Sequence, residues 1–304
     1  VPFYNRPGLV ESCLLRLLAQ ALPTTRILLV DDGSDQPFEA GALNDARVHV
    51  LRHPRNRGIG AARNTIIDWC RTHGIELVIM LDSDCQSDDD FVREHLRLHA
   101  EHPDATCIGG GIVGVGAGFW AKMDRLMSWV HSVPKGGVRE VKAPYLLPGT
   151  NISFKISRLP ERKEVFNDRL VTGEDALLIR QLRDDGGIVL FSPTPVIGHL
   201  DRDTFRSVVR HSYAWGGHIY LIQFGRNFSP QCLRLSYRIP FLLLFVLTSP
   251  GFALLGSLLT LLPWLEEKRS HIFCYPVLFM LWMVKALAVI RVAISPRAHL
   301  VHRQ

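Results

Sequence analysis

Residues 239–265, IPFLLLFVLTSPGFALLGSLLTLLPWL, carry no charged side chain. A bilayer core is crossed by roughly 20 apolar helical residues, so the length excludes a short core helix of the ordinary soluble kind. Pro250 and Gly251 fall mid-run and are expected to kink it, which membrane helices tolerate. EEKRSH follows as a polar break, and then IFCYPVLFMLWMVKALAVIRVAI, interrupted by Lys285 and Arg291. Arg291 can snorkel to an interface. Lys285 lies deeper and needs a partner or water. The expectation is a C-terminal transmembrane hairpin over 238–304, with helices at about 239–265 and 272–294. The competing reading is a buried helical hairpin of a soluble protein.

The flanking cations suggest an orientation. Arg226, Arg234 and Arg238 precede the first run, and Arg291, Arg297 and Arg303 line the end of the second. The connecting loop holds Lys268 and Arg269 beside Glu266 and Glu267. Both ends on the cytoplasmic side fit this distribution best. The six cysteines form no C-x-x-C pair, which suits buried thiols in a reducing compartment. The net charge of +6 arises from well-mixed signs rather than a basic tail, so a nucleic-acid partner is not expected.

Residues 1–200 alternate short apolar runs with amphipathic ones. The chain opens on VPFYNRP, which reads as the end of a strand whose start lies before it. GLVESCLLRLLAQA over 8–21 has helical periodicity. RILLVDDGS, VHVLRH and ELVIMLDSD read as strands, and GAARNTIIDWCRTH as a helix opening on a glycine turn. Such alternation implies an α/β fold with a mostly parallel sheet. Its ligand crevice belongs at the carboxyl ends of the strands, where both VDDGS and LDSDC arrive. IGGGIVGVGAG lacks the Gly-Lys-Ser/Thr of a phosphate loop; it reads as a strand and loop needing close backbone approach. LLPGTNISFK is a strand after a turn, VTGEDALLIRQLRDDGG an acid-started helix, and IVLFSPTPVIGH one or two strands.

Asp82 and Asp84 alternate about Ser83 at a strand end, so both carboxylates are expected on one face. Two carboxylates with substrate phosphates are a common Mg²⁺ site; the alternative is a solvated turn capping a helix near Asp89. Asp31 and Asp32 end another strand and can accept from a base ring or a ribose. Arg63, in RNRGIGAARN, suits bidentate phosphate contact; its plain alternative is a surface helix position. Glu174 and Asp175 open a helix and complement its dipole, which is compatible with facing a crevice.

PFYNRP, VDDGS, GIGAARN, LDSD, PGTNISFK, TGEDALLIRQL and PVIGH resemble, in sequence and order, the family 2 glycosyltransferases. The resemblance covers roughly residues 1–200. It implies a GT-A fold, Rossmann-like, with a nucleotide-diphosphate sugar as donor and a divalent metal, Mn²⁺ or Mg²⁺. It implies donor contacts from Pro2, Tyr4, Asn5, Asp31, Asp32, Arg63, Asp82, Ser83 and Asp84. Asp84 would hold the metal, with Asp82 and a late histidine, His199, as further candidates. Asp175 would be the catalytic base, with Glu174 second, in an inverting transfer to a hydroxyl acceptor, lipid- or glycan-linked. Residues 201–237 are expected to form an amphipathic interfacial segment, in which FRSVVRHSYAWGGHIY over 205–220 is basic and aromatic. They match the Q-x-x-R-W motif of processive members only loosely, which argues against a polymer-extruding synthase. Membrane lipids are the remaining expected partner.

Two rival readings stand beside this one. GIGAAR approaches the G-x-G-x-x-G/A of an NAD(P)-dependent oxidoreductase, but Arg63 occupies the third position and the motif does not follow the first strand. A non-catalytic membrane scaffold would keep a glycosyltransferase-like shell without its acids, and here the acids are present.

Overall fold

The computed structural model describes residues 1–39, 45–142, 147–224 and 235–295, with side chains omitted for 221–224 and 235–237. Arg226, Cys232, Arg234, Arg297 and Arg303, and residues 225–234 of the expected interfacial segment, lie outside the described residues.

The catalytic-sized part runs β1 (Pro2–Phe3), α1 (Pro7–Gln20), β2 (Ile27–Asp31), β3 (Val48–Arg52), α2 (Ile59–Thr72), β4 (Leu77–Leu81) and β5 (Cys85–Ser87). It continues through α3 (Phe91–Glu101), β6 (Ala105–Gly114), α4 (Phe119–Ser128), β7 (Arg139–Glu140), β8 (Asn151–Lys155), α5 (Glu174–Asp184) and β9 (Ile188–His199). Three long helices follow: α6 (Phe205–Phe224), α7 (Leu235–Leu265) and α8 (Tyr275–Ile294).

β1, β2 and β3 form a parallel sheet, with Pro2 opposite Val30 and Ile27 opposite Val48. The second sheet has the order β4-β8-β6-β9-β5, with β7 also on β9. β6 and β9 pair in parallel over the whole glycine run, and the other pairings of this sheet are antiparallel. IVLFSPTPVIGH is thus one strand. The glycines of β6 answer to close approach: a Cβ at Gly110 would collide with the Pro195 carbonyl, and one at Gly111 would lie 2.7 Å from that of Pro193.

α2 packs Ala62, Ile66, Ile67 and Cys70 into a core shared with Phe154, Phe166 and Phe191. A second core joins α1, Phe91 and α4 to the helical hairpin through Met123, Leu126, Leu261 and Trp264. The five cysteines among the described residues are free and buried.

α7 and α8 pack together, and each is long and apolar enough to cross a membrane. α7 runs helically through Pro240, Pro250 and Pro263. Pro250 cannot donate to the Val246 carbonyl one turn back, and the Ser249 hydroxyl donates to that carbonyl instead, at 3.0 Å. α6 lies along α8 with backbones close, since a Cβ on Gly216 would sit 2.5 Å from the Lys285 carbonyl oxygen. Lys285 does find partners: its ammonium lies 4.6 Å from the Trp282 ring centroid and 5.6 Å from that of Trp215.

Candidate active site

Three loops at strand ends meet through two adjacent residues. Asn5, at φ +52°, accepts from the Asp35 backbone N–H at 2.8 Å, and its own backbone N–H donates to Ser34 Oγ at 2.9 Å. Arg6 turns the other way and donates to Asp84 Oδ2 at 3.1 Å. The ends of β1, β2 and β4 are therefore one edge. Pro2 is buried in β1, and Tyr4 stays exposed at the rim.

Asp31 and Asp32 are buried and engaged within their own loops. Asp31 accepts from the Ser34 N–H at 2.8 Å and from Arg52 at 2.8 Å. Asp32 accepts from His53 Nδ1 at 2.6 Å and from the backbone N–H groups of Arg57 and Gly58 at 3.0 and 2.8 Å. The pair thus shapes the RNRG turn that opens α2. Gly33 (φ +77°) closes against it, where a Cβ would overlap the Arg55 backbone.

β4 ends at Leu81, so Asp82, Ser83 and Asp84 occupy the turn to β5 rather than one strand face. Each aspartate has its own cation. Asp82 Oδ1 accepts from Arg63 Nη2 at 3.0 Å, and Asp84 faces Arg6 and His199. Ser83 is buried in the turn.

Arg63 is not a surface position. Its side chain is 4% exposed and points inward from α2, under Phe166 at 5.8 Å. Nη1 donates to Glu174 Oε1 and lies 4.0 Å from Asp175 Oδ2. One buried guanidinium thereby ties LDSD to GED, segments that periodicity could not place together. Gly149, in PGTN, makes this possible: a Cβ there would stand 2.6 Å from Arg63 Nη1. The Gly149 N–H donates to Asp175 Oδ2 at 2.7 Å.

The two acids at the start of α5 differ in access. Glu174 is 4% exposed and spent on Arg63, whereas Asp175 is 24% exposed. Burial, reinforced by the Asp175 charge and opposed by Arg63, pushes the Glu174 carboxyl up to about 7. Gly173 (φ +90°) admits the chain into α5 against His218, whose ring a Cβ would strike.

Asp84, Cys85 and His199 bring one ligand atom each within 4.8 Å of one another. The His199 Nδ1–H donates to the Leu200 carbonyl at 3.0 Å, which leaves Nε2 facing Asp84 Oδ1 at 3.4 Å. An imidazole anchored through its other nitrogen beside a carboxylate is the usual form of a histidine ligand set and fits a cation. Burial, with Asp82 and Asp84 nearby, pushes the Cys85 thiol well above its ordinary value. It stays an S–H beside Thr150 Oγ1 at 3.0 Å and is a poor ligand for a hard cation. Asp84 and His199 are thus brought together, while Asp82 is turned to Arg63. Sequence reading did not single out Arg6, although it lies inside PFYNRP. It also missed Gly149, which sits in PGTN, and Trp129, whose ring packs at 4.6 Å on that of His199 and had no local signal.

The family described as Glycosyl transferase family 2 matches residues 1–158. The pre-mycofactocin glycosyltransferase of Mycobacterium tuberculosis is 30% identical over 214 residues, which are 67% of this chain and 43% of that protein. The polyprenol monophosphomannose synthase of Mycolicibacterium smegmatis is 34% identical over 91 residues, 28% of this chain and 33% of that one. The chain thus spans less than half the length of these curated relatives. The crystal structure of S. aureus TarS 1–349 in complex with UDP superposes with a TM-score of 0.54 at 17% identity. That match covers 99% of this chain and 91% of TarS 1–349, a likeness of fold.

Proposed function

From the premise that this chain belongs to glycosyl transferase family 2, we propose that it transfers a sugar from a nucleotide-diphosphate donor to a hydroxyl acceptor, with inversion at the anomeric carbon. The observation that carries the reading is the buried Arg63. It holds Asp82 at 3.0 Å and lies within 4.0 Å of Asp175, so donor-side and acceptor-side acids open on one crevice.

Asp175 is the base. Its carboxylate is held by the Gly149 N–H yet remains partly open, within reach of an acceptor hydroxyl proton. Glu174 keeps Arg63 in place from beneath. Asp84 and His199 would hold a divalent cation, Mn²⁺ or Mg²⁺, with oxygens of the donor completing its shell. Such a cation neutralises charge on the leaving diphosphate. Arg6, 57% exposed on Asp84, is the guanidinium free to meet that diphosphate, because the terminal nitrogens of Arg63 are already spent. Asp31 and Asp32 act on the nucleoside through the loop they shape, with Tyr4 and Asn5 at its edge.

We read the catalytic part as lying at the cytoplasmic face of a membrane. Five buried free thiols suit a reducing compartment. The apolar hairpin suits a membrane-associated enzyme, and a lipid-borne acceptor is the reading that the name of the mycobacterial polyprenol enzyme favours.

The test is calorimetric binding of UDP, GDP, dTDP and ADP to the full chain, with and without Mn²⁺. Metal-dependent binding of one of them is expected and names the donor base. Absence of binding to all four, in folded protein, overturns the reading in favour of a non-catalytic shell.

A further inference from the structure

A hairpin that crosses a bilayer keeps its tip and its base on opposite sides, about 30 Å apart. Here the catalytic part touches both. At the tip, Trp264 Nε1–H donates to the Leu126 carbonyl of α4 at 3.2 Å, and Leu261, Trp264 and Leu278 share a core with Met123 and Leu126. At the base, Val289, Val292 and Ala293 share a core with Leu170, Ala176 and Leu177 of the catalytic part. Leu278 and Val292 are separated by about 21 Å along α8 at 1.5 Å per residue. α8 therefore lies flat along the catalytic part. Were the hairpin to span, α4 and the start of α5 would flank the hydrocarbon on opposite sides, with the polar site between them.

The outer helix has a second peculiarity. Over its middle, its packed face is small and polar: Ser249, Ala253, Ser257 and Thr260 are buried, and Gly256 lies against the Trp282 ring, where a Cβ would come within 2.5 Å; large apolar residues pack only towards its ends, Phe241, Leu242 and Phe245 at one and Leu261 and Trp264 at the other. Trp282 Nε1–H donates to Thr260 Oγ1 at 3.0 Å. Its open face is leucine: Leu247 is 80% exposed, Leu243 67% and Leu244 64%, with Leu255, Leu259 and Leu262 continuing the strip. Small and hydroxylic residues between helices, with large apolar ones outside, is the arrangement of helices solvated by lipid. Charges return only at the ends, Arg238 at one and Lys268 with Arg269 at the other.

We propose that the α7–α8 hairpin does not cross the bilayer but lies in its plane, with α7 sunk into a single leaflet and the catalytic part resting on the same side. A helix about 10–12 Å across fits within one leaflet of the roughly 30 Å core. The polar tip, residues 266–270, then stays on the side of the active site. This concerns how the protein meets lipid and stands apart from the transfer reaction.

The experiment is one-sided labelling in sealed vesicles of the full chain, right-side-out and inside-out, with a membrane-impermeant maleimide. Lys268→Cys reports the tip. Arg93→Cys, on the exposed face of α3, reports the catalytic part. Labelling above that of the unsubstituted protein is expected from the same side for both, whichever side that is. Labelling of the two from opposite sides overturns the proposal. A dye on Leu247→Cys is expected to be quenched by brominated acyl chains. Absence of that quenching, with protein floating free of lipid as a dimer, would assign the leucine strip to a second copy and also overturn it.

Discussion

His199 Nε2 stands 3.4 Å from Asp84 Oδ1, with its other ring nitrogen already donating to the Leu200 carbonyl. The imidazole cannot turn away without losing that bond. Under the proposed reading, the pair would stand ready for a cation before donor arrives. His199→Ala and Asp84→Asn are expected to weaken Mn²⁺-dependent nucleoside diphosphate binding by more than about tenfold, a scale that even outer-shell losses reach. Calorimetry with and without Mn²⁺ measures it, and metal-free binding should change far less.

Asp175→Asn should leave donor affinity near that of the parent and lower the transfer rate by about 10²–10⁴-fold, the range for losing a positioned base. Single-turnover transfer, measured beside donor binding, separates the two effects. A rate that survives in Asp175→Asn but falls in Glu174→Gln would hand the base to Glu174.

Gly149→Ala tests the Arg63 clamp from the backbone side. The new methyl would press on the guanidinium from 2.6 Å, and overpacking of this kind costs about 1–3 kcal/mol. Arg63→Ala is expected to cost more, on the order of 3–5 kcal/mol, because Glu174 is left as a buried charge without its partner. Denaturant unfolding of both variants gives the order.

His95 sets an acid limit on stability. Its ring is buried between Ser153 Oγ at 2.9 Å and Asn151 Oδ1 at 3.1 Å, and burial lowers it to about 3. A group depressed in the folded state contributes fully above its ordinary value of about 6.5 and loses that contribution as pH falls toward 3. Glu174, raised to about 7, runs the other way: its contribution is present below about 4.5 and is lost as pH rises through 7. Between pH 7 and pH 5, His95→Gln should therefore lose about 2 kcal/mol less than the parent, at about 1.4 kcal/mol per pH unit. Urea titrations at the two pH values check it, and Glu174→Gln should steepen the acid-side loss.

Strand-then-acid runs were legible because local hydrophobicity and turn chemistry decide them: β2 and β4 end where VDDGS and LDSDC begin. The acid start of α5 was legible for the same reason. The inward turn of Arg63 was not. Helical periodicity cannot show a cation facing in when its partners, Asp82 and Glu174, come from elsewhere in the chain. The separate partners of Asp82 and Asp84 depended on a turn beginning at residue 82, and alternation over three residues cannot locate such a boundary. The hairpin's length was plain from composition, but its flat docking was not, since it depends on Trp264 meeting Leu126 across 138 residues.

The aromatic row behind His199 makes the molecule its own optical gauge. The Trp129 ring lies tilted against His199, Trp215 lies 6.5 Å further on, and Lys285 sits between Trp215 and Trp282. Indole emission responds to a neighbouring charge. A cation arriving at one end of the row, or a helix lifting at the other, would change the fluorescence of the unlabelled chain, and replacing Trp129 or Trp282 with Phe tells the two events apart.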